Sequence, residues 1–180
     1  MQRTTTGFSI LNLIKLVEKE KGPEGKHLLE IKNGSLQYYS FRKYPLEEKM
    51  KLQKYVCEIM FGDSSEESFF RLGKKMFGTY INSIAGKTIM ALLATDVKKA
   101  VMGIPKAVSI IQKEEGFDFQ VQDLGGNHVK AIVKNSPLSV GYLGGIFASG
   151  VEYFKCKANI KWNIISEENY EYDVTWEECS

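Results

Sequence analysis

Near Phe117 the hydrophobic period of this 180-residue chain changes from that of a helix to that of a strand. Upstream, Phe69, Leu72, Met76 and Tyr80 form one stripe, Phe70, Phe77, Ile81 and Ile84 a second beside it, and Arg71, Lys75, Gly78 and Asn82 mark the opposite side. Recurrence at three and four residues gathers apolar side chains on one face of a helix. Downstream, Phe117-Asp118-Phe119-Gln120-Val121-Gln122 alternates apolar and polar without error. Alternation sends successive side chains to opposite faces of a strand. A segment patterned for one period does not bury its apolar side in the other, so the chain reads as α+β, helical first and sheet afterwards.

Punctuation divides the helical half. Phe8 to Lys21 reads as a helix stopped by Gly22-Pro23, and a short helix or turn follows around Gly25 to Ile31 before Asn33-Gly34. Arg3 and the apolar run of Phe8, Ile10, Leu11, Leu13 and Ile14 faintly suggest a signal peptide. Asn12 and Lys15 interrupt that run, and no small-residue cleavage site follows it, so an amphipathic helix is expected. Pro45 opens a helix running to Phe61. After Gly62-Asp63, Ser64 or Ser65 caps the helix from Glu66 to Ile84. Helical texture continues through Thr88–Ala94 and Asp96–Met102, and again from Pro105 to Gly116.

The second half reads as two hairpins around a helix. Gly125-Gly126-Asn127 turns the first strand into a second from His128 to Lys134, with Val129, Ala131 and Val133 on one face. A helix follows Pro137 to about Phe154, free of charge from Leu138 to Val151. Ala158, Ile160, Trp162 and Ile164 alternate in the next strand, and Tyr170, Tyr172, Val174 and Trp176 in the last. The expectation is a helical N-terminal part packed on a four-stranded antiparallel sheet, ββαββ, with one apolar face, in a single domain over 1–180. On its polar face Lys157 and Lys161 are expected near Glu171 and Asp173.

Composition narrows function by exclusion. A formal charge of +2 does not call for nucleic acid, and the aromatic residues lie on the sheet's apolar side, where they cannot stack on RNA bases. With six acids and no Lys or Arg after Lys161, residues 1–161 carry +8, which leaves a basic face for a partner or anionic ligand as one reading and solvated helices as the plainer one. No apolar run reaches the ~20 residues of a membrane span. Cys57, Cys156 and Cys179 are odd in number and form no C-x-x-C, so neither zinc nor a redox dithiol is indicated, and reduced thiols in a cytoplasmic setting are expected.

Catalytic patterns fail on inspection. Ala85-Gly86-Lys87-Thr88 ends like a phosphate loop, but Ile81 stands where the first glycine belongs and a helix precedes it. The glycines of Gly141–Gly150 sit within a helix and not between strand and helix, which excludes a dinucleotide fingerprint. The two histidines, His27 and His128, have no partners at catalytic or metal-binding spacing; His128, beside a hairpin turn, reads as solvated. No enzymatic activity, metal or cofactor is therefore expected. Small residues at helical spacing (Gly141, Gly145 or Gly144, and Ala148) imply either close helix packing or the wall of an apolar pocket. The candidate pocket residues, between the 66–84 and 138–154 helices, are Phe77, Tyr80, Tyr142, Gly145, Ile146 and Phe147.

Several motifs carry a resemblance. Tyr44-Pro45-Leu46-Glu47, Phe70-Arg71-Leu72-Gly73, Ser136-Pro137 leading to Gly145, and Tyr172-x-Val174-x-Trp176 resemble a large myxobacterial-type paralogous family of uncharacterised proteins, from about Tyr44 onward. That family looks related to a fold shared by haem nitric-oxide sensors, Bet3-type TRAPP subunits and vinyl-reductase-type ligand-binding domains. The resemblance implies helices on a twisted antiparallel sheet around an apolar cavity, often dimerising through helices. The cysteine-rich ending of the vinyl-reductase type is absent here. Tyr38-x-Ser40-x-Arg42 matches the propionate-clamping Y-x-S-x-R of haem nitric-oxide/oxygen-binding domains, but in them it falls late, among the strands and after a helical proximal histidine. Here it lies in the N-terminal third, eleven residues after His27, and reads as coincidence. The leading expectation is a non-enzymatic domain binding an apolar or lipid-like small molecule. The alternatives are a tethering-type module that forms a homodimer or docks a protein partner, and, third, a haem gas sensor.

Overall fold

In a computed structural model, residues 3–82, 87, 96–111, 117–177 and 179 are described, side chains 107–111 excepted. Strand β1 (Thr4–Thr6) leads into α1 (Gly7–Asn33), β2 (Lys43–Pro45), α2 (Leu46–Phe61), α3 (Glu66–Ile81) and α4 (Val97–Ile111). Then come β3 (Asp118–Asp123), β4 (His128–Lys134), α5 (Val140–Glu152), β5 (Ala158–Ser166) and β6 (Asn169–Trp176). The architecture is the expected α+β: helices first, then a four-stranded antiparallel sheet interrupted by one helix.

Helix boundaries follow local chemistry. Gly22 has φ 69° and ψ −168°, so the two halves of α1 meet at a kink where Gly22-Pro23 signals a stop. Ser65 caps α3 by accepting the Ser68 N–H, and the Asp63 carboxylate accepts from the Ser65 and Ser68 hydroxyls at 2.6 Å each. Those bonds hold the Asp63 carboxyl well below the usual carboxylate range, at about 2. Pro105 does not split α4, which runs unbroken from Val97 to Ile111 where the sequence suggests two pieces. The Ala85–Thr88 pattern, the Thr88–Ala94 helix and the end of the 66–84 helix lie, Lys87 apart, outside the described residues.

The sheet order is β3-β4-β6-β5, so each hairpin pairs internally and β4 joins β6 at the centre. Gly125 (φ 88°) and Gly126 (φ 51°) make the β3–β4 turn, with the Gly125 N–H donated to the Asp123 carboxylate. Val129, Ala131, Val133, Tyr172 and Val174 are fully buried, as the alternation requires. On the polar face Lys161 is opposite Asp173 in register, yet the partners come from β4: Lys130 forms an ion pair with Glu171 and the His128 ring hydrogen-bonds Asp173, each at 2.9 Å. Lys157 reaches Glu177 instead. Central β4 flanks β6 on its other side, and sequence spacing does not reveal that adjacency.

The cysteine expectation is corrected. Cys156 and Cys179 form a disulfide with Cα atoms 4.1 Å apart, and only Cys57 is free. The β5–β6 ladder explains it: Ala158 pairs with Trp176, and the Glu177 N–H reaches the Lys157 carbonyl, which brings the flanking residues together. Disulfides persist in oxidising surroundings. The cysteines therefore no longer argue for a reduced setting. Among the described residues no helix is long and apolar enough to cross a membrane.

Candidate functional site

Helix α5 is the pivot of the fold, held between α3 and the apolar face of the sheet. Its N-terminus is tied down from both sides. Ser139 accepts the Tyr142 N–H, while Glu66 of α3 accepts the Ser139 hydroxyl at 2.5 Å and the Gly141 N–H at 2.7 Å. A carboxylate at a helix N-terminus satisfies orphan donors and complements the dipole. The Tyr172 hydroxyl donates to the Val140 carbonyl at 2.9 Å from the sheet side.

The glycines of α5 meet backbone. A Cβ on Gly141 would collide with the Glu66 carbonyl, one on Gly145 with the Phe70 carbonyl, and one on Gly73 of α3 with the Tyr142 carbonyl. The two helices therefore touch main chain to main chain along this seam, and no side chain or ligand fits between them there. Gly73 belongs to the same contact. Its signal in the sequence is a small residue on an otherwise bulky apolar side of α3.

The six candidate residues have different surroundings. Phe147, fully buried, packs on the sheet, with ring centroids 5.6 Å from Phe119 and 5.2 Å from Tyr172. Tyr142 is buried towards α2; burial pushes its hydroxyl up, and the neighbouring Gln53 amide pulls it partly back. Gly145 lies in the α3 seam, and Ile146 is half-buried. Phe77 and Tyr80 are half-buried on the last turns of α3, and burial raises the Tyr80 hydroxyl. A Cβ on Gly150 would touch both Ile104 of α4 (3.1 Å) and Phe77 (4.0 Å), so Phe77 stands where α3, α4 and α5 meet. Tyr80 follows Phe77 by three residues on the same helix.

Sequence patterns gave no hint of two buried polar groups on α2. Lys49 and Gln53 are 1% and 2% exposed and, four residues apart, lie on one side of the helix. Cys57 continues that side; burial pushes its thiol up to about 12, so it is protonated at neutral pH. The histidines are peripheral: His27 is exposed on α1, and His128 pairs with Asp173 on the polar face of the sheet. Among the described residues no cluster of three or more His, Cys, Asp or Glu could hold a metal ion. Tyr38, Ser40 and Arg42 shape a loop over the start of α1: the Asn33 amide donates to the Tyr38 hydroxyl, Ser40 and Arg42 offer carbonyls to α1, and the Arg42 guanidinium covers the Tyr44 ring.

Comparison with known proteins places this geometry. An H-NOX protein from K. algicida, Fe(II) unliganded, is 19% identical with a TM-score of 0.74, over 96% of this chain and 97% of that one. An S. oneidensis H-NOX protein in the Fe(II)NO state is 15% identical with a TM-score of 0.75, over 96% and 99%. An oxygen-binding H-NOX domain related to soluble guanylate cyclases is 11% identical with a TM-score of 0.75, over 97% and 96%. At such identities the likeness is one of fold, and the fold is H-NOX-like. No curated protein matches the chain. A family model described as "Protein of unknown function (DUF2378)" matches residues 2–177, so the chain belongs to that family.

Proposed function

We propose that this chain is a non-enzymatic binding or sensor domain that holds an apolar small molecule within an H-NOX-like fold, without histidine- or thiolate-ligated haem. The observation that carries the proposal is where its donors lie. Haem iron is commonly held by His, Cys thiolate, Met or Tyr. Both histidines of the chain are on its outside, one of them engaged by Asp173. Two of the three cysteines are bonded to each other and the third is a buried, protonated thiol. The Tyr38-Ser40-Arg42 residues are occupied in the α1 loop. A haem pocket built on a proximal histidine and a propionate clamp does not fit these residues.

The reading is supported by the fold likeness to H-NOX proteins, one of them in an Fe(II)NO state, over nearly the whole chain, and by an apolar and aromatic interior. We place the ligand beside Phe77 and Tyr80, where α3, α4 and α5 meet and the close α3–α5 seam has ended. Denaturing mass spectrometry of freshly purified protein should find one stoichiometric lipophilic molecule, reduced in Phe77→Ala. Haem titration should give no ligated Soret band. A ligated Soret spectrum would return the chain to the haem sensors, and a protein free of any small molecule would refute the binding reading. A tethering-type module has its own support in Leu28 and Ile31, three residues apart on α1 and more than half exposed. Dimerisation abolished by Leu28→Glu would favour it.

A further inference from the structure

A tight turn over the start of α1 has an unusual combination of rigidity and exposed apolar surface. The Arg42 N–H donates to the Tyr39 carbonyl at 3.1 Å and closes the turn. The first N–H groups of α1, on Gly7 and Phe8, donate to the carbonyls of Arg42 (2.8 Å) and Ser40 (2.9 Å), and the Tyr39 N–H donates to the Tyr44 hydroxyl at 2.9 Å. Gly7 is required there, because a Cβ would collide with the Tyr39 carbonyl. The turn thus replaces a side-chain cap for α1, which has none. At its tip Phe41 is 100% exposed and Tyr39 66%, with Phe8 at 39% beside them.

Cations surround this tip. Arg42 and Lys43 follow Phe41, both exposed. Lys15 and Lys19, at seven and eleven residues beyond Phe8, continue its exposed stripe along α1. None of the four makes an ion pair among the described residues, whereas Glu18 and Glu20 on the same helix are engaged by Lys26 and Lys75. The excess positive charge of residues 1–161 is thus concentrated, in part, around bare aromatic rings.

We propose that the 39–43 turn docks the protein on an anionic lipid surface. Tyr39 enters the headgroup boundary, where its amphipathic ring is favoured, and Phe41 buries its apolar ring there, while Arg42, Lys43, Lys15 and Lys19 meet lipid phosphates. A convex tip suits a deformable surface, and four cations without ion pairs among the described residues, Arg42 lying over the Tyr44 ring, complement a negative one. The contact is peripheral and needs no spanning helix.

The test is co-sedimentation of the 180-residue chain with sucrose-loaded vesicles of phosphatidylcholine, alone or mixed with phosphatidylglycerol, at low and high salt. Binding is expected only with phosphatidylglycerol and should weaken with salt. Phe41→Ser should lower partitioning about tenfold, the scale of losing one buried aromatic ring. Arg42→Glu with Lys43→Glu should lower it at least tenfold, since each cation near the surface contributes about fivefold. All of these side chains are exposed, so unchanged thermal midpoints would show that the variants are folded. Equal binding to phosphatidylcholine alone, or variants that bind as the parent does, overturns the proposal. Failure to sediment with either vesicle also overturns it.

Discussion

Replacing Gly145 with alanine sets two known effects against each other. In an open helix interior the exchange is favourable by about 1 kcal/mol, because alanine restricts the unfolded chain and favours the helix. Gly78 of α3 has nothing within 4 Å of an added Cβ, so Gly78→Ala should show that gain. At Gly145 the new methyl would overlap the Phe70 carbonyl oxygen and come to 2.9 Å from the Phe70 carbonyl carbon and the Lys74 nitrogen. All three are backbone atoms in the middle of α3, so no rotamer change relieves them. The helices must separate, which also loosens the contacts at Gly73 and Gly141 that depend on the same spacing. Overpacking typically costs about 1–3 kcal/mol, and a backbone clash belongs at the upper end. After the propensity gain, a net loss of about 2 kcal/mol remains. Urea unfolding followed by circular dichroism should move the Gly145→Ala midpoint down with an unchanged slope. Its melting temperature should fall by roughly 4–8 °C. Gly144→Ala meets only the rings of Trp162 and Phe70 at 3.3–3.4 Å, which can yield, and should change stability little. A Gly145→Ala protein as stable as Gly78→Ala would refute the main-chain contact between α3 and α5.

The disulfide joins residues 23 apart in sequence, so Cys179→Ser, or reduction of the parent, should cost about 3 kcal/mol by loop entropy; an unchanged urea midpoint under reductant would contradict that. Glu66→Ala removes the carboxylate that accepts from Ser139 and Gly141, and a loss of about 1–2 kcal/mol is expected by the same unfolding assay. Asp63 has a folded-state pKa of about 2, below the unfolded value near 3.9. Its contribution is therefore present above about pH 4 and is lost as pH falls towards 2. Asp63→Asn should remove that segment of the stability–pH curve and leave the curve above pH 5 parallel to the parent's.

Local periodicity carried the architecture. The switch from 3.6 to 2 near Phe117, the stop at Gly22-Pro23 and the Gly125-Gly126 turn each depend on residues within a few positions of one another, and each appears where expected. Pro105 shows the limit of such reasoning, since tertiary context keeps α4 continuous through a local breaker. The site was less legible. Apolar character identified Phe77, Tyr80, Tyr142, Ile146 and Phe147 as inward residues, but not which direction each takes. Tyr142 and Phe147 are five residues apart on a helix, which turns them about 140° from each other, towards α2 and the sheet respectively.

By itself, then, the sequence determined the α+β order, the hairpins, the apolar face of the sheet and the small-residue side of α5. The tertiary structure alone decided that this side meets the backbone of α3, that Cys156 and Cys179 join, and that β4 rather than β5 supplies the partners of Glu171 and Asp173. The physical reason is range. Hydrogen-bonded periods and turns are set by neighbours in the chain, whereas helix separation, strand adjacency and cysteine pairing depend on residues brought together only when the layers close.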